Sequence, residues 1–572
     1  MNSRVALSNQ DTQTARREAV AAACCYVAIT LALFRSLFPV IGTQVYADLG
    51  DNVLNTAILA WNAKAIPLTS AWWNFPSFAP LPGVTAWTEH LLGAYPLTSP
   101  IIWITGNAVL AYNTLMLVCF ALNAICAFLL VREVTDSSIA AFVGGLAFAF
   151  APYQAEHVSH IQVLMAFGMP LALYGLHSYR RARTRRALVW FAVGWLSVLL
   201  SNAYMIIFFP ILLTLWCVWF LRGDKSGAWV RILQVAIVTS LPVVPLLWGY
   251  YVRQAAYGFV RGYPEIRSMS AHVTGLMGIS HRAILWKGLL PDRFDEGSLF
   301  PGLCISILTV IAIVARWHDT STRGIRAAWS RHDAVIFYFV AAIAMWSLAL
   351  GPEPTWSGVR AFAYGPYWLL LQLPAGDSIR VPARAWLPAV LCLAVCAGYG
   401  ASWLAARARG SWVILPIAIA IVSEGWFHDQ THEVPAPVRS GLIPAGATVL
   451  DLPLYEAFEN AGPEYLAVLR GYRVVNGYSG YAPVHFDRLR NALAGHRPEA
   501  LNAFRQLGDL YVLVRPAVDR PFLEWLEAQD GITFVSASGD SRIYRLPRSS
   551  TGPATPTPLP LPRVGRAGFT IQ

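Results

Sequence analysis

Residues 48–62 read Asp-Leu-Gly-Asp-Asn-Val-Leu-Asn-Thr-Ala-Ile-Leu-Ala-Trp-Asn, directly after the first apolar span. At helical period Leu54, Ile58 and Trp61 share one face, and Asp48, Asp51, Asn52, Asn55 and Asn62 form an opposing polar stripe. A helix of this kind lies in a membrane interface, its apolar side among lipid headgroups and its carboxylates turned outward or into protein. Two carboxylates one turn apart beside a bilayer are costly to bury, so the pattern points to a task or a partner for them. The plain alternative is an amphipathic connector whose acids are merely solvated.

The rest of the chain supplies the membrane. Of 572 residues, 56% are hydrophobic and 13% charged, against about 25% charged in an ordinary soluble domain. Apolar spans long enough to cross lie near 19–40, 106–131, 138–152, 160–178, 187–201, 203–221, 229–250, 299–315, 334–350, 385–406 and 411–427, about eleven crossings. Arginines follow the even-numbered spans: Arg180 to Arg186 after the fourth, Arg222 and Arg231 around the sixth, Arg316 to Arg331 after the eighth, Arg407 and Arg409 after the tenth. With Arg16 and Arg17 they fall on one side if the N-terminus is cytoplasmic. That accounts for the net charge of +11 without invoking nucleic acid. All eight cysteines sit in apolar spans, which argues against a disulfide framework or a thiolate metal site.

The expected fold is therefore a polytopic α-helical membrane protein of about eleven transmembrane helices with a small C-terminal α/β extracytoplasmic domain. Residues 1–18 read as a cytoplasmic tail and 19–427 as the transmembrane domain, with external loops 41–105, 251–298 and 351–384. Composition shifts at 424–428, and 428–548 forms the α/β domain, with strands at Thr448–Leu452 and Tyr511–Val514, helices near 459–470, 483–493 and 521–529, and a terminal hairpin. The Pro/Thr-rich stretch 549–572 reads as disordered. The expected location is a membrane, with the N-terminus on the cytoplasmic side and residues 428–548 outside.

Three constellations could carry chemistry, all on the expected outer side. The first loop holds Asp48, Asp51 and the pair Glu89-His90, with Trp72, Trp73, Phe75, Phe78 and Trp87 interleaved with prolines. Rings beside carboxylates suit a sugar or a lipid headgroup, and tryptophans also anchor at interfaces. The second is Tyr153, Glu156, His157, His160 and Gln162 between spans three and four, joined by Asn202 and Tyr204 between spans five and six. His157 and His160, one turn apart, could hold a divalent cation with Glu156, could hold a phosphate, or could be polar helix-start residues. The third is Asp377-Ser378-Ile379-Arg380-Val381-Pro382-Ala383-Arg384, where Arg380 and Arg384 are forks suited to phosphate oxygens or to pairing with Asp377. Phosphate-binding loops, zinc-hydrolase helices and serine nucleophile elbows are missing from the sequence.

As a set these segments resemble the GT-C superfamily of integral-membrane glycosyltransferases, and more closely a bacterial membrane-protein group within it. The matching segments are Gly50-Asp51, Leu59-Ala60-Trp61-Asn62, Glu89-His90-Leu91-Leu92-Gly93, Phe150-Ala151-Pro152-Tyr153 with His157 and His160-Ile161-Gln162, Ile379 to Arg384, and Asn476-Gly477-Tyr478-Ser479-Gly480-Tyr481. The resemblance implies inverting transfer of a sugar from a polyprenyl-phosphate donor to an acceptor hydroxyl on a glycan, lipid or protein. Asp51 would be general base, with Asp48 and Glu89 sharing the acidic site. His90, Tyr153, His157, His160, Gln162, Asn202, Tyr204, Arg380 and Arg384 would bind substrate. It implies no certain cofactor and leaves a divalent metal ion as a candidate, with no ligand set assigned. The usual second acidic motif after the third helix is not clear in this chain. Two other classes fit the same features less well: a flippase for a lipid-linked glycan, which should show polar, broken helices in paired halves, and an envelope scaffold using Asn476–Tyr481 as a docking loop.

Overall fold

The computed structural model describes residues 2–293, 296–318, 325–373, 376–408 and 410–549. The stretch expected to be disordered lies, apart from Ser549, outside the described residues. The described chain is predominantly helical and divides into two units. One comprises residues 1–38, 114–243 and 260–429, the other 39–113, 244–259 and 430–572.

Among the described residues, five of the expected spans appear as helices long and apolar enough to cross a bilayer: Ala108–Thr135, Ser138–Glu156, Ile161–Ala182, Ala228–Tyr257 and Pro382–Arg407. Shorter apolar helices run Met205–Phe220, Leu303–His318, Ala334–Ala349 and Ser411–Glu424. The first helix is continuous from Asn2 to Leu33 and then tightens to a 3-10 turn over Arg35–Val40, which contains Pro39. The segment Ala228–Tyr257 spans about 45 Å at 1.5 Å per residue. Its Trp229, Leu233, Ile237, Val244 and Trp248 are exposed, as lipid-facing side chains are.

In the first unit, helix contact depends on small residues, because no hydrophobic gain separates helices from lipid tails and close backbone packing has to supply the attraction. A Cβ built on Gly175 would lie 2.3 Å from the backbone nitrogen of Phe191, and one on Gly194 would lie 2.4 Å from that of Ala172. Helices Gly168–Ala182 and Arg185–Ser201 thus touch backbone to backbone. Gly398, in Trp386–Arg407, meets the carbonyl oxygen of Ala140 in the same way. Gly175→Val should therefore lower stability by about 3 kcal/mol or more, since the obstacle is backbone that cannot rotate away. An unchanged unfolding temperature in detergent would refute this account of the helix pair.

In the second unit, residues 448–546 form a five-stranded sheet. Leu510–Val514 lies at its centre, parallel to Thr448–Leu452 and antiparallel to Ser541–Leu546. Arg473–Val474 and Thr533–Ser538 form the edges. Both central strands are buried almost throughout, which is why they read as short apolar runs without alternation. Helices Ala461–Arg470, Val484–Ala494 and Arg520–Glu527 fall close to the positions expected from the sequence.

Helix Asp51–Lys64 departs from its expected character. Every residue from Asn52 to Ala60, and Asn62, is buried, so the polar stripe does not lie in an interface. Its asparagines are held internally. Asn52 Nδ2 donates to the carbonyl of Asp48 at 2.9 Å, and its Oδ1 accepts from the Tyr112 hydroxyl. Asn62 Nδ2 donates to the carbonyl of His90, and its Oδ1 accepts from Trp72 Nε1, both at 2.8 Å. The helical period was correct. What it could not show is that side-chain amides, unlike carboxylates, can be buried cheaply once hydrogen-bonded.

Candidate functional site

The candidate residues fall into two groups, one in each unit. In the second unit, the burial of the asparagines leaves the two aspartates as the half-exposed part of the stripe. Asp51 opens its helix, where the unsatisfied N–H groups favour an anion. Its Oδ1 accepts from the Tyr478 hydroxyl at 2.8 Å. Asp48 Oδ1 accepts from the backbone N–H of Gly50 at 2.9 Å, which bends the chain into the helix. Glu89 is partly exposed, whereas His90 is buried. His90 Nδ1 accepts from the Leu92 N–H, and burial lowers its pKa to about 4, so it stays neutral and structural in character.

The motif Asn476–Tyr481 explains how Tyr478 reaches Asp51. Asn476 clamps the sheet: its Oδ1 accepts from the Asp451 N–H, and its Nδ2 donates to the Asp451 carbonyl. A Cβ on Gly477 would lie 2.3 Å from the Phe78 ring, so only glycine lets the loop pass. The Tyr478 N–H then donates to Glu464 Oε1 at 2.9 Å. Glu464 is fully buried, and burial raises its pKa to about 8 despite the hydrogen bond from the Tyr478 N–H. It is therefore mostly protonated at neutral pH.

The linkage has a definite sign. The folded state keeps a proton that the unfolded state releases above its ordinary carboxylate pKa. Stability is thus fully present below about pH 4.5 and falls as pH rises toward about 8. Glu464→Gln should abolish that slope and stabilise the protein by a few kcal/mol near pH 7.5. Unfolding curves with the same pH dependence in both proteins would show that Glu464 is not buried as a neutral acid.

The aromatics of the first loop do not form an open sugar platform or an interfacial anchor. Trp72, Trp73, Phe75, Phe78 and Trp87 are all buried. Trp73 carries the Arg253 guanidinium 4.1 Å above its ring, and Phe78 packs on Trp87. Proline spacing and aromatic content were legible in the sequence. The direction of the rings was not, because a loop has no period.

The second group gathers Tyr153, His157, His160, Tyr204, Arg384 and a residue that the sequence did not single out, Glu296. His157 and His160 place their Nδ1 atoms 3.2 Å apart, and Tyr153 packs edge-on against His157 at 4.3 Å between ring centres. Arg384 donates from Nε at 3.0 Å and from Nη2 at 2.5 Å to Glu296 Oε1, and its guanidinium lies 4.4 Å over the Tyr204 ring. Burial pushes the Glu296 carboxyl up. Arg384, with its charge and its hydrogen bonds, more than offsets this, and Glu296 ends well below the usual carboxylate range. Burial lowers the His157 pKa to about 3, so this imidazole is neutral.

Donor atoms of His157, His160 and Glu296 lie within 4.8 Å of one another. The third donor beside the histidines is thus Glu296. Glu156 instead faces Arg282 at 4.0 Å, and Arg282 binds Asp429 at 2.5 Å. Several polar atoms of this group are buried with no hydrogen-bond partner: Tyr153 Oη, His157 Nε2, Gln162 Oε1 and Glu296 Oε2. Such a concentration is unusual away from a binding site. Asn202 plays a local part. Its Nδ2 donates to the Gln162 carbonyl and its Oδ1 accepts from the Tyr204 N–H. Arg380 stands apart from Asp377, its anticipated partner, and faces Glu265 at 3.8 Å. Glu296 lies in a loop without periodicity or motif, and no sequence signal marked it.

Solved structures similar to this chain include ArnT from Cupriavidus metallidurans, at 12% identity and a TM-score of 0.47, covering 91% of this chain and 97% of that one. They also include the oligosaccharyltransferase AglB from Archaeoglobus fulgidus, at 12% identity and 0.49, covering 87% and 69%. A third is the arabinofuranosyltransferase AftD from Mycobacteria, at 15% identity and 0.47, covering 93% and 42%. No curated protein matches the sequence. Residues 107–422, more than half of the chain, match the family described as a domain of unknown function (DUF6311), and the chain belongs to that family.

Proposed function

We propose that this protein is an integral-membrane glycosyltransferase that moves a sugar from a polyprenyl-phosphate donor to an acceptor hydroxyl on the outer face of the bacterial inner membrane. The observation that carries this reading is the treatment of the polar stripe. Its asparagines are buried and hydrogen-bonded, while Asp51 stays half-exposed with one oxygen fixed by Tyr478. A partly exposed carboxylate held by a tyrosine hydroxyl suits a general base. Asp51 would take the acceptor's hydroxyl proton as that oxygen bonds to the anomeric carbon. The bond from carbon to phosphate oxygen breaks, and the phosphate leaves with the electron pair. A departing phosphate needs fixed positive charge, and in the first unit Arg384 and Arg380 are the candidates for that role.

Two nitrogen donors and a carboxylate within 4.8 Å also fit a divalent transition ion. If bound, such an ion would polarise phosphate oxygens. His157, His160 and Glu296 would be its ligands, with Arg384 holding the Glu296 carboxylate in place.

The test is mass spectrometry of lipids copurifying with the wild-type protein and with Asp51→Asn. A polyprenyl phosphate, or its sugar adduct enriched in the variant, supports the donor class and names the sugar. Bulk phospholipid alone in both samples would overturn the transferase reading in favour of a flippase or a scaffold.

A further inference from the structure

At the bundle end that carries the loop arginines, the first unit carries an open cavity of about 640 Å³. Six arginines line it: Arg180, Arg181, Arg183, Arg222, Arg316 and Arg331. Three carboxylates share the lining, Glu133, Asp224 and Asp333, and each is taken by one arginine. Arg181 Nε binds Glu133 at 2.9 Å, Arg183 binds Asp224, and Arg316 Nε lies 3.2 Å from Asp333. Asp333 is further committed to capping its helix through the Ile336 N–H.

Among the described residues, Arg180, Arg222 and Arg331 make no ion pair with a carboxylate, although the charge of Asp224, which is held by Arg183, reaches Arg180. Arg180 lies 5.1 Å over the Phe220 ring and Arg222 lies 4.4 Å over the Trp329 ring. Stacking on an aromatic face fixes a guanidinium's plane and leaves its N–H edge available for a planar or tetrahedral oxyanion. Charges that only set topology need no such arrangement: they work equally well dispersed in water around the headgroups. Three cations outside any ion pair, two of them stacked on rings, line one concave volume within the size range of small-ligand sites.

We propose that this cavity binds a phosphate-bearing anion, a phosphomonoester or a diphosphate, through Arg180 and Arg222. The site is separate from the residues assigned to transfer and does not depend on that assignment. Its phosphate could come from a soluble molecule or from a lipid headgroup of the adjacent leaflet.

Purified protein in phosphatidylcholine nanodiscs, with and without phosphatidic acid, would be titrated with inorganic pyrophosphate by calorimetry. Native mass spectrometry would count retained phosphatidic acid. Arg180→Gln/Arg222→Gln should weaken the bound species about tenfold or more, because each lost contact is a hydrogen bond between two charged groups. Arg231→Gln, at the same end but outside the cavity lining, should leave it unchanged. Pyrophosphate binding that follows this pattern identifies a soluble source. Retention of one phosphatidic acid that follows it, without pyrophosphate binding, identifies a lipid source. No binding of either probe, or equal loss in Arg231→Gln, overturns the proposal. Should the double variant not fold, arginine modification of the wild-type protein replaces it. The bound probe must protect the peptides carrying Arg180 and Arg222, and lack of protection refutes the site.

Discussion

Asp51→Asn is expected to reduce sugar transfer by about 10²- to 10⁴-fold while leaving insertion and unfolding temperature unchanged. The amide is nearly the same size, and its oxygen can still accept from the Tyr478 hydroxyl 2.8 Å away. What is lost is the ability to take a proton. The loss should fall on kcat, since the proton moves only in the transition state. Tyr478→Phe gives the complementary result. The carboxylate remains but is no longer oriented, so activity should fall by a smaller factor, with a shifted pH profile. Full turnover in Asp51→Asn would end its assignment as base.

Arg384→Met carries the second large effect, and it should appear first as instability. Arg384 is 4% exposed and donates twice to Glu296 Oε1. Removing the guanidinium strands a largely buried carboxylate, a change that costs about 3–5 kcal/mol. Arg384→Met/Glu296→Gln removes both charges and should recover most of that stability. The double variant then separates two roles. If Arg384 neutralises a departing phosphate, transfer stays at least about 100-fold low in the refolded double variant. If Arg384 only balances Glu296, transfer returns with stability, and its place in the site is lost. Thermal unfolding and turnover measured on the same preparations decide between them.

These expectations rest on features of unequal legibility. The apolar spans and the two central strands of the sheet could be read because burial selects residue type along a continuous run. Residues 48–62 gave their helical period and the two carboxylates that stay accessible. They did not reveal that Asn52 and Asn62 are interior, because the partners that satisfy them, Tyr112, Trp72 and the His90 carbonyl, come from elsewhere in the chain. Tyr478 was visible only as part of a recurring Asn-Gly-Tyr segment, and its hydroxyl could not be assigned to Asp51 without the loop geometry that Gly477 permits. Glu296 and Glu464 were invisible for the same reason. A single buried acid in a loop or a short helix has no pattern. Its meaning arises from the arginine, histidines or backbone N–H brought against it by distant segments.

The bond between Asp51 and Tyr478 joins residues 427 positions apart. During synthesis at about 5–20 residues per second, Asp51 would leave the ribosome some 20 to 85 seconds before its partner. Lys64, at the other end of the same helix, waits almost as long for the carbonyl of Val468, 404 positions on. The acidic helix is thus among the first segments made and among the last completed. A message cut short before codon 478 would yield a protein able to enter the membrane yet lacking the hydroxyl that aims its carboxylate.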